Sequence, residues 1–298
     1  MTALEKLDAR WQAGGRICVG LDSRRDLLPM LFEEGGSYTA MHAFNKHLVD
    51  YTADLALAYK LNAAPYFREG IDGIRALIDT FTYIARKAPD VPTILDMKPG
   101  DALAEINDDY AQFAFEKCGA DALTAQVYAG GDAAEGFTKY KEKLIFFLCK
   151  TSNKGSGEFQ DVEVKRGDVQ FAHNGQPVLL HQDVATSVMM HWNRHGNCGL
   201  VVGATYPEQL HKIRSLAADM PILAPGIGKQ AGEFGKTILA GIIPNKGRLI
   251  INESRSIIFA PYDKHEERDD HMIFAKAARR RLEARTEEYN NILATGIA

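Results

Sequence analysis

Short apolar runs alternate with amphipathic stretches along almost the whole chain. Most of the runs are continuously apolar, which is typical of parallel strands covered on both faces. They predict eight strands, near 16–22, 55–62, 93–98, 122–128, 143–150, 199–205, 221–227 and 248–255. The stretches between them predict helices near 37–53, 70–88, 103–118, 131–141, 180–195, 206–218 and 231–241.

The number and order of these units indicate the fold class. A short helix precedes the first strand, and a long charged helix is predicted over 266–293. Eight strand–helix units predict an α/β protein, a (β/α)8 TIM barrel, and they favour it over the alternative of a doubly wound open sheet. No linker divides the units, so we expect one domain over 1–298. The polar connection 151–179 is too long for a routine turn, and loops of that length are usually functional.

Composition narrows the function classes rather than the fold. The chain has 298 residues, of which 46% are hydrophobic and 25% charged, which is enough apolar material for a substantial core. The formal net charge of -4 gives no sign of a nucleic-acid-binding surface, so local cations or backbone donors must hold any anionic ligand.

The cysteines and the apolar runs bear on the compartment. Cys18, Cys118, Cys149 and Cys198 are widely scattered, which favours buried reduced thiols over a zinc or redox site. We see no secretory signal at the N-terminus and no apolar run near the length of about 18 residues that a membrane span needs. We therefore expect a cytoplasmic protein without membrane contact.

The residues at the carboxyl ends of the predicted strands are mostly polar, and barrels of this kind carry their chemistry at these ends. In strand order they are Asp22, Lys60, Asp96 with Lys98 and Asp101, Gln126 with Tyr128, Thr151 with Ser152, Thr205, Gly226 with Gly228, and Arg255. A single strand-end aspartate is more often a loop cap than a catalyst. The set as a whole indicates an active site.

The segment from Asp96 to Asp101 is the centre of this set. Positions 96 and 98 both lie in the predicted strand 93–98 and share a side-chain direction, so both can point into the barrel mouth. There Lys60, Asp96, Lys98 and Asp101 could alternate in charge. Buried charges are tolerated only when paired, and such an array suggests a catalytic role.

A glycine-rich turn and an arginine indicate a phosphate site. Segment 224–232 (APGIGKQAG) resembles a strand-to-helix turn whose free N–H groups can hold a phosphate. Arg255 follows the eighth strand, and the loops after strands seven and eight are where barrels commonly bind phosphate. A plain turn is the alternative, because turns need glycine anyway.

Seven stretches, taken together, resemble the orotidine 5'-monophosphate decarboxylase family, particularly its longer-chain branch. They are 18–22 (CVGLD), 59–62 (YKLN), 95–101 (LDMKPGD), 150–153 (KTSN), 201–205 (VVGAT), 224–228 (APGIG) and 252–255 (NESR). The Asp-x-Lys-x-x-Asp core is shared with relatives that act on sugar phosphates. The Thr-Ser-Asn and Pro-Gly-Ile-Gly stretches look more like the decarboxylase.

The resemblance implies an activity and a role for each residue. The reaction would convert orotidine 5'-monophosphate to uridine 5'-monophosphate and CO2 in pyrimidine synthesis, with no cofactor and no metal. Lys98 would protonate C6 of the pyrimidine within a Lys60, Asp96, Lys98 and Asp101 network, and a homodimer would contribute Asp101 across its interface. The implied substrate contacts are Asp22 and Lys60 to the ribose, Ser152 to the pyrimidine, and Gly226, Gly228, Gln230 and Arg255 to the phosphate.

One segment departs from the family pattern. After Asp101 the family usually has Ile-Gly-x-Thr, where this chain has 102–105 (ALAE), so Glu105 replaces a threonine expected to touch the ribose. Two alternatives therefore stay open. One is a Mg²⁺-dependent sugar-phosphate lyase or aldolase of the same superfamily, and the other is a non-catalytic barrel that binds nucleotides.

Overall fold

The computed structural model describes residues 1–32, 34–165, 177–217, 219–227, 231–243, 246, 248–263 and 270–296. Its centre is a closed barrel of eight parallel strands. They are β1 (Ile17–Gly20), β2 (Ala58–Asn62), β3 (Thr93–Asp96), β4 (Ala122–Ala125), β5 (Leu144–Lys150), β8 (Cys198–Val202), β9 (Ile222–Pro225) and β10 (Leu249–Glu253). The order around the barrel is β1-β10-β9-β8-β5-β4-β3-β2, so the first and last strands pair and close it.

Helices cover the outside of the barrel. They are α1 (Ala3–Gln12), α2 (Ser37–Thr52), α3 (Ala63–Phe67), α4 (Gly70–Lys87), α5 (Ala104–Gln112), α6 (Gly131–Thr138), α7 (Gly157–Gln160), α8 (Leu180–Ser187), α9 (Pro207–Leu216), α10 (Ala231–Gly241), α11 (Arg255–Ile258) and α12 (Ile273–Gly296). Helices α5 and α8 continue as single π-helical segments, Phe113–Lys117 and Val188–Trp192. Short 3-10 turns occupy Arg25–Leu27, Met30–Phe32 and Lys154–Ser156.

Sequence signals account for where several of these elements begin. Helix α1 starts with a capping box, in which the Thr2 hydroxyl accepts from the Glu5 N–H and the Glu5 carboxylate accepts from the Thr2 N–H. Pro207 is the first residue of α9, where its missing N–H is not needed. Every residue of β1, β3, β4, β5, β8 and β10 is buried, as expected for strands between a filled barrel interior and a helical layer.

The barrel prediction is confirmed, with two corrections to its details. Strand β3 ends at Asp96, two residues before the predicted end, so Met97 and Lys98 lie in the loop beyond it. Helix α12 begins at Ile273 rather than near 266, and residues 264–269 lie outside the described part of the chain. The connection 151–179 contains α7 and a two-stranded hairpin, β6 (Glu163–Val164) with β7 (Val178–Leu179), while 166–176 lie outside the described residues.

The expectation for the cysteines is also confirmed. Cys18, Cys118, Cys149 and Cys198 are all buried and free. Burial raises the pKa of the Cys18 thiol to about 12, so it stays protonated at neutral pH. Among the described helices, none is long and apolar enough to cross a membrane.

Candidate active site

A buried lysine stands between two aspartates at the mouth of the barrel. Lys60 lies in β2 and is 2% exposed, and its Nζ lies 2.8 Å from Oδ2 of Asp96 and 3.5 Å from Oδ1 of Asp22. Strands β1, β2 and β3 are neighbours, with Gly20 paired to Lys60 and Asn62 paired to Asp96. This adjacency brings the three charges together from three separate parts of the sequence.

Asp96 also binds the second lysine of its own segment. The Lys98 Nζ forms an ion pair with Asp96 Oδ1, and the Thr124 hydroxyl donates to the same oxygen at 2.9 Å. Asp96 therefore receives Lys60 on one carboxylate oxygen and Lys98 with Thr124 on the other. The Lys98 side chain is 39% exposed, so its ammonium group faces the open mouth.

The backbone of Lys98 explains how its side chain reaches this position. Its φ is +57°, the only left-handed value at a non-glycine residue in the described part of the chain. The conformation turns the chain back after β3, and the Lys98 N–H donates to the Thr124 carbonyl at 3.1 Å. Strand alternation, the basis of the sequence prediction, is thus not what aims Lys98. Strained backbone of this kind concentrates at functional sites.

The charges of the cluster shift each other's protonation. Burial alone would raise the pKa of Asp96, but the ammonium groups of Lys60 and Lys98 outweigh it and hold that pKa well below its usual range. Burial would lower the pKa of Lys60, but Asp22 and Asp96 outweigh it and raise that pKa above its usual value. Both groups are therefore charged throughout the neutral range.

Asp101 lies apart from this cluster within the chain. Its side chain is exposed, and its Oδ1 accepts only from the Leu103 N–H, at 3.0 Å, among the described residues. Its backbone is tightly held: the buried Asn107 side chain accepts from the Asp101 N–H at 2.8 Å and donates to the Asp101 carbonyl at 2.9 Å. The backbone at Asp101 is thus held in place while its carboxylate stays exposed.

Ser152 packs against two glycines at the opposite side of the mouth. A Cβ atom on Gly203 would lie 2.7 Å from the Ser152 Cα, and one on Gly226 would lie 2.7 Å from the Ser152 Cβ. Gly226 has a φ of +87°, which only glycine adopts without strain. The glycines after β8 and β9 therefore make room for the loop that carries Ser152.

The candidate phosphate residues lie next to this wall. Arg255 is the first residue of α11, separated from β10 by Ser254 alone, and its side chain is exposed. Among the described residues, no acidic group forms an ion pair with its guanidinium. Gly228 and Gln230 lie outside the described residues, so the predicted turn is placed only at its start, Gly226.

Sequence reasoning missed two residues that hold the site together. Thr124 supports both Asp96 and Lys98, and Asn107 fixes Asp101. Thr124 was detectable as a polar residue inside an otherwise apolar strand. Asn107 carried no comparable signal, because it lies in a helix with many polar residues, and the sequence does not show which of them is buried.

Comparison with known proteins places this geometry in a family. The sequence model of the family described as "Orotidine 5'-phosphate decarboxylase / HUMPS family" matches residues 15–269. The chain belongs to this family. The match begins at Gly15, before β1, and ends after β10, so it includes every strand of the barrel.

Individual relatives within the family are decarboxylases by name. The orotidine 5'-phosphate decarboxylase of Cellvibrio japonicus is 40% identical over 280 residues, covering 94% of each chain. That of a Janthinobacterium species is 38% identical over 282 residues, again covering 94% of each chain. The solved structure of Leishmania donovani OMP decarboxylase is 33% identical, with a TM-score of 0.75 over 96% of this chain and 99% of the other.

The segment that departs from the usual family motif is at the surface. Ala102, Leu103 and Glu105 are exposed, and Leu103 is 57% exposed although it is apolar. The nearby Ile106 and Tyr110 on α5 are exposed as well. The departure therefore changes an outward-facing surface beside Asp101 and leaves the cluster of Lys60, Asp96 and Lys98 unaltered.

Proposed function

We propose that the chain converts orotidine 5'-monophosphate to uridine 5'-monophosphate and CO2, with Lys98 as the proton donor. The observation that carries the proposal is the Asp96 carboxylate held between the ammonium groups of Lys60 and Lys98 at the barrel mouth. Family membership and decarboxylase relatives of similar length agree with it. No cofactor and no metal takes part in the proposed step.

The proposed chemistry gives each charge of the Asp96 and Lys98 pair its own task. Asp96 repels the carboxylate of the substrate, and Lys98 stabilises the charge that remains after CO2 has left. The bond between C6 and the carboxylate breaks, CO2 leaves, and the electron pair stays on C6. No adjacent carbonyl delocalises that charge, so the protein must stabilise it. The Lys98 ammonium, placed beside C6, stabilises the developing carbanion and then donates a proton to it.

Repulsion of the substrate by Asp96 is not sufficient alone. Two carboxylates about 4 Å apart repel by roughly 4 kcal/mol at an effective dielectric constant near 20. Enzymes lower barriers by about 8–23 kcal/mol, and this reaction belongs toward the demanding end. Most of the effect must therefore come from interactions made in the transition state, above all with Lys98, and from binding energy at the distant phosphate.

The remaining assignments complete the proposed site. Asp22 and Lys60 bind the ribose, Ser152 binds the pyrimidine, and Arg255 with the Gly226–Gln230 turn binds the phosphate. A homodimer supplies Asp101 to the neighbouring subunit's site, which agrees with its exposed and rigidly held position. We further propose that residues 1–298 act as one domain and work in the cytoplasm.

An ultraviolet assay of orotidine 5'-monophosphate loss tests the proposal. We expect turnover in the presence of a chelator, and a fall of at least about 10⁴-fold in kcat for Lys98→Ala. Lys139→Ala, which breaks an exposed ion pair with Asp108, is the matched control and should keep its activity. Turnover restored only by Mg²⁺ would favour a sugar-phosphate enzyme, and nucleotide binding without reaction would favour a non-catalytic barrel. Near-normal turnover of Lys98→Ala would disprove the mechanism.

A further inference from the structure

A buried ion pair lies directly behind the proposed phosphate site. Glu253, the last residue of β10, is 4% exposed, and Arg285 of α12 is 5% exposed. The Arg285 Nε lies 2.8 Å from Glu253 Oε1, and Arg285 Nη1 donates to Glu288 at 2.7 Å. The long terminal helix is thereby joined to the end of the last barrel strand.

The same carboxylate holds the turn that carries Arg255. The Ser256 hydroxyl donates to Glu253 Oε2 at 2.7 Å, and Ser256 is the neighbour of Arg255 in α11. Helix α11 has only four residues, so it has little internal hydrogen bonding to fix its direction. The bond from Ser256 therefore helps to set where the chain at Arg255 leaves the barrel.

Arg285 also contacts the helix that follows the other half of the proposed phosphate site. Its guanidinium carbon lies 4.5 Å from the centre of the Phe234 ring, which is fully buried in α10. Helix α10 follows the turn that begins at Gly226. One guanidinium thus packs beneath both elements that lead from the phosphate site, α10 on one side and β10 with α11 on the other.

Stability alone is a weak explanation for this arrangement. Removing two charges from water is costly, and apolar residues of similar volume often serve a core as well or better. A buried pair does restrict geometry, because moving either partner away would leave the other charge buried and unpaired. The Ser256 hydroxyl adds a hydrogen bond to the same carboxylate and completes the network.

We propose that Arg285, Glu253 and Ser256 form a positioning network that orients Arg255 and the start of α10 toward the substrate's phosphate group. This inference rests on the proposed function, because it assumes that the ligand beside Arg255 is a nucleoside monophosphate. The three residues do not touch the ligand. They act through the backbone of α11 and the packing of α10.

The test compares two ligands that differ only in the phosphate, uridine 5'-monophosphate and uridine, by calorimetric titration. For Ser256→Ala we expect the Kd of the nucleotide to rise about 5- to 10-fold while that of uridine stays unchanged, because one hydrogen bond to a charged group is lost. Ser256→Thr keeps the hydroxyl and should restore binding. Arg285→Lys keeps the positive charge but lacks the planar guanidinium group. It should raise the Kd of the nucleotide, as Ser256→Ala does.

Two reference variants separate the possible failures. Arg279→Lys lies on the same helix but pairs with Asp54 away from the site, and it should change neither ligand. Arg255→Ala must weaken the binding of the nucleotide more than the binding of uridine. If it does not, the phosphate assignment is wrong, and the proposed network is wrong with it. If Arg255→Ala is selective but Ser256→Ala and Arg285→Lys weaken both ligands equally or neither, the phosphate site stands and the network is overturned.

Discussion

Asp96 and Asp101 lie five positions apart in one segment, yet the fold treats them in opposite ways. Asp96 is 8% exposed and is bound by Lys60, Lys98 and Thr124. Asp101 is exposed, and within the described part of the chain no cation pairs with its carboxylate. Its backbone is nevertheless fixed from both sides by Asn107.

The two carboxylates differ in how far their own chain accounts for their surroundings. A carboxylate with two ammonium partners is complete within its own chain, and its surroundings explain its ionisation. The Asp101 carboxylate is exposed beside the exposed apolar residues Leu103 and Ile106, which agrees with the proposed role in a neighbouring subunit. The comparison predicts that the two aspartates will fail differently when replaced.

Asp101→Ala should have a large effect, and it should be on activity alone. We expect kcat to fall by about 10²–10³-fold because the site of the neighbouring subunit loses a charge, while stability stays within about 0.5 kcal/mol because the side chain is exposed. Steady-state assays and urea unfolding measure the two quantities. Asp109→Ala is the control, since Asp109 is an exposed aspartate on the adjoining α5, and it should change neither quantity.

Mixing variants tests whether the site is shared. The Lys98→Ala homodimer should be nearly inactive and the Asp101→Ala homodimer about 10²–10³-fold slower than wild type. A mixed dimer, however, places both wild-type residues in one of its two sites. Activity should therefore return after subunit exchange. Verified heterodimers that remain inactive would mean that Asp101 serves its own barrel, and the contrast with Asp96 would lose its explanation.

Asp96→Asn should instead destabilise the fold. The substitution leaves Lys60 buried with a single carboxylate partner, Asp22 at 3.5 Å, and we expect a loss of about 3–5 kcal/mol in the free energy of unfolding at pH 7. The folded pKa of Asp96 is lowered, so its contribution is present above the unfolded pKa of about 3.9 and is lost as the pH falls below it.

Urea unfolding of the wild type and of Asp96→Asn from neutral to acidic pH measures how the difference in their free energies of unfolding depends on pH. The two curves should differ most near neutral pH and approach each other as the medium becomes acidic. Asp90→Asn is the control, since Asp90 pairs with Arg10 but its own side chain is 64% exposed, and it should cost at most about 1 kcal/mol. Equal stability of Asp96→Asn and wild type at pH 7 would contradict the assignment.

Asn107→Ala should have the smallest effect, and it separates the backbone of Asp101 from its carboxylate. It removes the side chain that holds the Asp101 backbone but leaves the carboxylate in place. We expect a loss of about 1–2 kcal/mol in stability and a roughly tenfold fall in kcat, without a change in the Asp96 cluster. Gln112→Ala, which removes a hydrogen bond to Asp108 on the same helix, should leave kcat unchanged.

The sequence alone predicted the barrel because its signal is repeated eight times, so errors at single ends did not matter. It placed Lys60 and Asp96 correctly, since each lies inside a strand with fixed side-chain alternation. It could not foresee how Lys98 is aimed, because a left-handed residue after a strand end leaves no periodic trace. Asn107 and the Arg285–Glu253 pair escaped it for a related reason: their partners are distant in the sequence or are backbone atoms.

The pairing of β1 with β10 has a consequence for how the protein folds. Asn252 donates to the Cys18 carbonyl across this seam, although the two residues are 234 positions apart in the sequence. Contacts between such distant segments form slowly, since a long loop must close before they contribute. Asp22 follows one strand of the seam and Arg255 follows the other. A folding chain with its helices formed but its seam open therefore holds the lysine cluster without an adjoining phosphate site, and catalytic activity reports barrel closure where helix content does not.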